Sequence, residues 1–216
     1  MINRILIRIK VVQMVYSYLL KAEGQKLSDA KKELEQSLDK AYELYHLLLL
    51  LPGALTRLQE KRLENAKNKY LPTEEELNPN MKFIENQFVQ KMDSCATMDK
   101  YLEDHPMSWD ADEVYLRLTL DKVLKSDIYQ DYMANTPSTL ENDCELWREL
   151  MRKVILPDDD LAEVLETRSV YWNDDLGTIG TFVLKTIKRF ATEGNEDLLP
   201  EYKDEEDHQF ADVLFS

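Results

Sequence analysis

Apolar positions at the start of the chain recur at helical spacing. Residues 3–21 contain no Gly, Pro, Asp or Glu. At about 100° per residue, Ile2, Ile5, Ile9, Val12, Tyr16, Leu19 and Leu20 share one face, and Ile7, Val11, Met14, Val15 and Tyr18 form a second stripe almost opposite. Two such stripes predict an opening helix with protein on both sides. Arg4 and Arg8 stack one turn apart on the seam between them, so two guanidinium groups emerge together at one end of the helix. The uncharged run 11–20 is about half of the ~20 apolar residues a membrane span requires. Gln13 interrupts it and Ala22-Glu23-Gly24 is a poor cleavage site, so the segment does not read as a secretory signal.

The same period continues down the chain. Glu23-Gly24-Gln25-Lys26 predicts a turn, with Ser28 capping a helix to about residue 51. Leu34, Leu38, Ala41, Leu44, Tyr45, Leu48 and Leu51 trace one face of it. After Pro52-Gly53, the positions Leu55, Leu58, Leu63 and Ala66 continue on a second arm, which predicts an antiparallel helical hairpin with residues 47–51 as its buried tip. The breakers of residues 71–80 mark a loop and a loose boundary, dividing an opening helix plus hairpin (1–70) from an acidic helical region (71–216). Within the latter, helices are expected at about 81–102, 112–132, 141–155, 159–167, 176–190 and from about 204 onward. Asp158-Asp159-Asp160 sits where carboxylates favour a helix start.

Composition narrows the class to all-α. Only 5 Gly and 7 Pro in 216 residues, 44% hydrophobic and 32% charged, suit a helical bundle with its own core rather than a sheet with many turns. The net charge of −15 is unevenly spread. Residues 1–69 hold 13 Lys and Arg against 8 Asp and Glu, while the remainder holds 14 against 34. Such asymmetry permits a basic footprint on an otherwise acidic protein. Cys95 and Cys144 have no His or Cys at metal spacing and read as reduced thiols in apolar surroundings, which suits a cytoplasmic protein.

Catalytic signatures are missing from the sequence. It has no Gly-rich phosphate loop, no paired-histidine metal motif and no nucleophile elbow, and only His46, His105 and His208 for acid–base work. Asp110, Asp112 and Glu113 fall in a first helical turn, where carboxylates need no metal to explain them. The expectation is a non-enzyme without cofactor or metal.

The order Arg4-x-x-x-Arg8-x-x-Val11-x-Gln13-x-Val15-Tyr16 resembles the opening helix of the NusB family of transcription antitermination factors. There an arginine-rich start leads into a small apolar residue and then Gln-x-Leu-Tyr. Ile5 and Leu6 stand here where the family has adjacent arginines, so the basic cluster is thinner. Later stretches, from Leu146-Trp147 through Tyr171-Trp172-Asn173-Asp174-Asp175 to Phe182–Phe190 and Leu198-Leu199-Pro200-Glu201, are similar to the long-chained bacterial variant of the family, although the arginine of its Trp-x-x-x-Arg pattern is missing. The resemblance implies an RNA-binding antitermination factor that holds boxA-like leader RNA through Arg4, Arg8 and Lys10. It also implies a NusE-type ribosomal protein as partner and an indirect link to the RNA polymerase complex. Family members continue beyond this point with the helices that complete the bundle. With Phe210, Val213 and Leu214 opening an unfinished face, the resemblance implies a C-terminally truncated chain prone to self-association. Two other readings stand beside it: a non-catalytic helical protein-interaction scaffold without RNA binding, and the accessory domain of a ribosomal RNA methyltransferase.

Overall fold

The stretch around Pro52 decides the architecture. In the computed structural model, which describes residues 1–20, 27–172, 174–192 and 197–214, the expected hairpin is one continuous helix. The elements in chain order are α1 (Arg4–Leu20), α2 (Leu27–Lys67), α3 (Glu74–Leu77), α4 (Gln87–Asp93), α5 (Ala96–Asp104), α6 (Glu113–Lys125), α7 (Asp127–Asn135), α8 (Leu140–Leu150), α9 (Asp159–Arg168), α10 (Leu176–Thr192) and α11 (Glu205–Leu214). The described residues form no strand, only a parallel bridge between Ile2 and Tyr202. The all-α helical bundle expected from composition is what the chain forms.

Pro52 lacks an N–H and its ring crowds the carbonyl one turn back, a cost of ~3 kcal/mol inside a helix. Leu44, Tyr45, Leu47, Leu48, Leu49, Leu51 and Leu55 are all buried, so helix α2 is apolar all round at this point. Each such side chain contributes about 1.5–3 kcal/mol on burial, and their sum outweighs the proline. Near the proline, side chains add bonds to the helix carbonyls: Trp109 Nε1 donates to Leu47 O at 2.8 Å and Thr56 Oγ1 to Pro52 O at 2.9 Å. At Gly53 a Cβ would lie 3.0 Å from Arg57 Nη1 and 3.2 Å from Asp93 Oδ1, so the glycine marks where α4 comes close. Residues 47–51 are therefore the middle of a central helix, around which α1, α4, α6 and α10 pack.

Two predicted helices are each divided by a serine. The stretch 81–102 becomes α4 and α5, separated at Ser94 and Cys95. The stretch 112–132 becomes α6 and α7, because Ser126 caps α7 by accepting from Tyr129 N at 3.2 Å while donating to Val123 O at 2.7 Å. Helix α8 runs on through a π turn (Met151–Ile155), and α9 and α10 lie where expected. The predicted loop 71–80 holds α3, closed by a capping box of Thr73 and Glu76. The turn at 23–26 lies outside the described residues, and Ser28 falls inside α2 rather than at its cap.

Buried residues from Met1 to Leu199 form one cluster, drawing on both sides of residue 70. Phe88 meets Phe190 edge-on at 5.6 Å and Phe83 lies 5.4 Å from Trp147. Both cysteines are buried, and burial pushes the Cys144 thiol up to about 12. The opening helix corrects an expectation. Leu6, Ile7, Lys10 and Met14 are buried, but Ile5, Ile9, Val12, Tyr16, Leu19 and Leu20 are exposed, so α1 is covered on one side only.

His46 of α2 is 1% exposed and stacks on Tyr101 at 3.5 Å, with Tyr42 edge-on at 4.4 Å. Burial lowers its pKa to about 4, against the opposing effect of its hydrogen bond with the Tyr42 carbonyl. The unfolded chain takes up this proton near pH 6.5 and the folded chain only near 4. The stabilisation is therefore complete above pH 6.5 and is lost, by up to about 3 kcal/mol, as pH falls through that window. Urea unfolding between pH 7 and 4 should show a steeper loss in the parent than in His46→Phe; parallel curves would assign the acid sensitivity to other groups.

Candidate functional site

The arginine end of α1 is built by its neighbours in sequence and by residues some two hundred positions away. Asn3 caps the helix, its Oδ1 accepting from the N–H groups of Ile5 and Leu6 at 3.0 Å each. Ile2 N donates to Glu201 O at 2.6 Å, Lys203 N donates to Ile2 O at 2.7 Å, and the Met1 ammonium donates to the Pro200 carbonyl. These bonds hold the first residues beside the segment that leads into α11, which packs on α1.

That contact brings the two arginines together over one ring. Arg4 Cζ lies 5.3 Å and Arg8 Cζ 5.4 Å from the centroid of Phe210. Arg4 Nε donates to Asp207 Oδ1 at 3.1 Å and Nη2 to Glu206 Oε2 at 3.3 Å. Asp207 is buried, whereas the Arg4 side chain is 52% exposed, so its outer face stays in water. Two guanidinium groups at the positive end of a helix, held by an aromatic ring, can take an anion; the carboxylates beside Arg4 compete for the same charge.

Lys10, expected to share this surface, is elsewhere. It falls on the buried stripe with Leu6, Ile7 and Met14, and its Nζ lies 2.5 Å from Asp175 Oδ1 and 2.6 Å from Oδ2. A lysine on a buried stripe requires a counter-charge, and Asp175 at the start of α10 supplies it. Burial raises the Asp175 carboxyl even though Lys10 pulls it down. Just before it, Trp172 Nε1 donates to Lys40 O at 2.7 Å. Trp172 and Asp175 therefore tie the start of α10 to α2 and α1.

Asp175, Glu206, Asp207 and Phe210 were not singled out from the sequence as parts of this site. The available signals were the lysine on a buried stripe and the acidic run 204–207 ahead of an aromatic residue in a chain whose start is basic. Phe210, expected to be exposed, is half-buried under the arginines, and Val213 is exposed; the Leu214 side chain lies outside the described residues.

The acidic clusters have protein partners. Lys122 Nζ reaches Asp158 Oδ2 at 2.7 Å and Asp160 Oδ2 at 2.6 Å, and Asp158 caps α9. Arg168 pairs with Asp112, and Arg117 with Glu113 at 2.5 Å. Among the described residues no group of three or more His, Cys, Asp or Glu is placed to hold a metal ion, and no helix is long and apolar enough to cross a membrane. A cavity of about 620 Å³ among α2, α4, α5 and α6 is lined by Met92, Met98, Met107 and Trp109 and by the ion pair of Arg57 and Asp93 at 3.2 Å. No protein-family model, no curated protein and no solved structure matches the chain.

Removing one member of the Lys10–Asp175 pair leaves a buried charge without its partner. Lys10→Met or Asp175→Asn should each cost about 3–5 kcal/mol in urea unfolding, and Lys10→Met/Asp175→Leu should recover most of it. Single variants as stable as the parent would mean that the pair is solvated.

Proposed function

We propose that this chain is a non-catalytic RNA-binding factor of the NusB antitermination type, which contacts boxA-like leader RNA through Arg4 and Arg8. The observation that carries the reading is the pair of guanidinium groups one turn apart at the capped, positive end of α1, both against Phe210 and with Arg4 half in water. Phosphate oxygens match such groups in charge and geometry, and an aromatic ring beside them offers a stacking surface for a base. The resemblance of the opening helix implies a NusE-type ribosomal protein as partner and a cytoplasmic location. Lys10 has no part in the contact, because its charge is spent on Asp175.

A second reading, a protein-interaction scaffold without RNA binding, draws on the exposed apolar face of α1. An RNA titration separates the two. Arg4→Ala/Arg8→Ala should weaken binding to a short boxA-like RNA on the order of tenfold at low salt, and flatten the salt dependence by about one unit per lost phosphate contact. Glu206→Gln, which removes a competing carboxylate, should tighten binding. The Arg4–Glu206 pair is exposed, but Asp207 is buried and loses a partner in the double variant, so Arg8→Ala alone, which leaves Asp207 paired, serves as the control and should also weaken binding. Fluorescence anisotropy in which parent and double variant coincide at low and high salt would leave the scaffold reading standing.

A further inference from the structure

On the side of α1 opposite its buried stripe, Ile5, Ile9, Val12, Tyr16 and Leu19 follow one another at intervals of four, three, four and three residues. That is the apolar seam of a coiled coil. These five side chains are 44–72% exposed, and Val15 and Leu20 beside them are exposed as well. We propose that this seam docks a second copy of the chain, α1 lying antiparallel to its equivalent about a two-fold axis at Val12.

Area, charge and symmetry select that occupant. The seven side chains leave on the order of 800 Å² in water, about what one partner contributes to a standard interface and more than the largest patch usual on a monomer. Helix α1 carries no carboxylate, and two of its three cations already have places in the fold: Lys10 on Asp175 and Arg4 on Asp207 and Glu206. Beyond Arg8 the seam is flanked by Gln13, Val15 and Ser17, so a strongly charged helix would find little to pair with. An uncharged, self-complementary strip fits another copy of itself. Counted outward from Val12, apolar residues recur both ways, setting Ile5 against Leu19 and Ile9 against Val15 of the other copy, with Tyr16 one position further on.

Orientation follows from the charges. Parallel pairing would set the arginine ends of both helices side by side. Antiparallel pairing sets the arginine end of each helix beside the other's last turn, which holds no basic residue and where the helix dipole is negative. Helix α1 brings three positive charges to a chain of net −15, so the acidic excess lies outside it, repulsion between copies acts at a distance and salt screens it. Association should strengthen with ionic strength, whereas RNA binding should weaken. The inference does not rest on the RNA reading.

Sedimentation velocity over a wide concentration range tests it. The parent chain should dimerise, and Val12→Glu, which sets two carboxylates face to face on the axis, should be monomeric with an unchanged helical circular dichroism spectrum. Val12→Cys should cross-link between copies under mild oxidation. Ile5→Cys should not, because antiparallel pairing holds the two Ile5 positions about 20 Å apart, beyond the ~7 Å a disulfide allows. A parent that stays monomeric, a dimer that survives Val12→Glu, or Ile5→Cys cross-linking as readily as Val12→Cys would overturn the proposal.

Discussion

Everything in this bundle depends on the burial of the middle of α2. A helix that is apolar all round must be enclosed, and the segment from Leu44 to Leu55 is enclosed by α4, α6 and α10 while α1 lies along the same helix. That enclosure keeps the helix continuous through Pro52, which in an exposed helix would end it. One long axis then fixes the distances over which distant parts of the chain meet. Tyr45 shows how: its hydroxyl bonds Thr186 Oγ1 at 2.6 Å and accepts from Leu199 N at 3.0 Å, joining α2, α10 and the segment ahead of α11.

From this frame the opening helix receives two unlike sides. Its inner stripe includes a lysine, which is tolerated because Asp175 meets it; its outer stripe is apolar and faces water. The arginines lie between the two, at the end where α11 brings up Asp207 and Phe210. The acidic remainder of the chain thus touches the basic start at the point where function is proposed. An anion that binds there meets guanidinium groups already oriented, but has to share them with Glu206 and Asp207.

Much of the helical order was legible because it is local. Apolar spacing placed α1, α9 and α10, and the carboxylates at 158–160 marked a helix start. Composition gave the all-α class. What could not be read depends on contacts far apart in sequence. Pro52-Gly53 is a stop signal by local rules, and only the enclosure of α2 overrides it. The division at Ser126 was a local cue, masked by apolar positions on both sides. Two stripes on α1 implied two covered faces, yet periodicity says which residues share a side and not what lies against it. Arg4 and Arg8 stood out as a pair, whereas Lys10 could be separated from them only by its burial against a carboxylate 165 positions away.

RNA bound as proposed meets the chain at the α1–α11 contact, and covalent mapping tests this most directly. A boxA-like RNA carrying photoreactive uridines, cross-linked and digested, should leave its adducts on peptides from the first turns of α1 and on the α11 peptide that contains Phe210. Adducts confined to other elements, such as the acidic face of α6 and α9, would contradict the account.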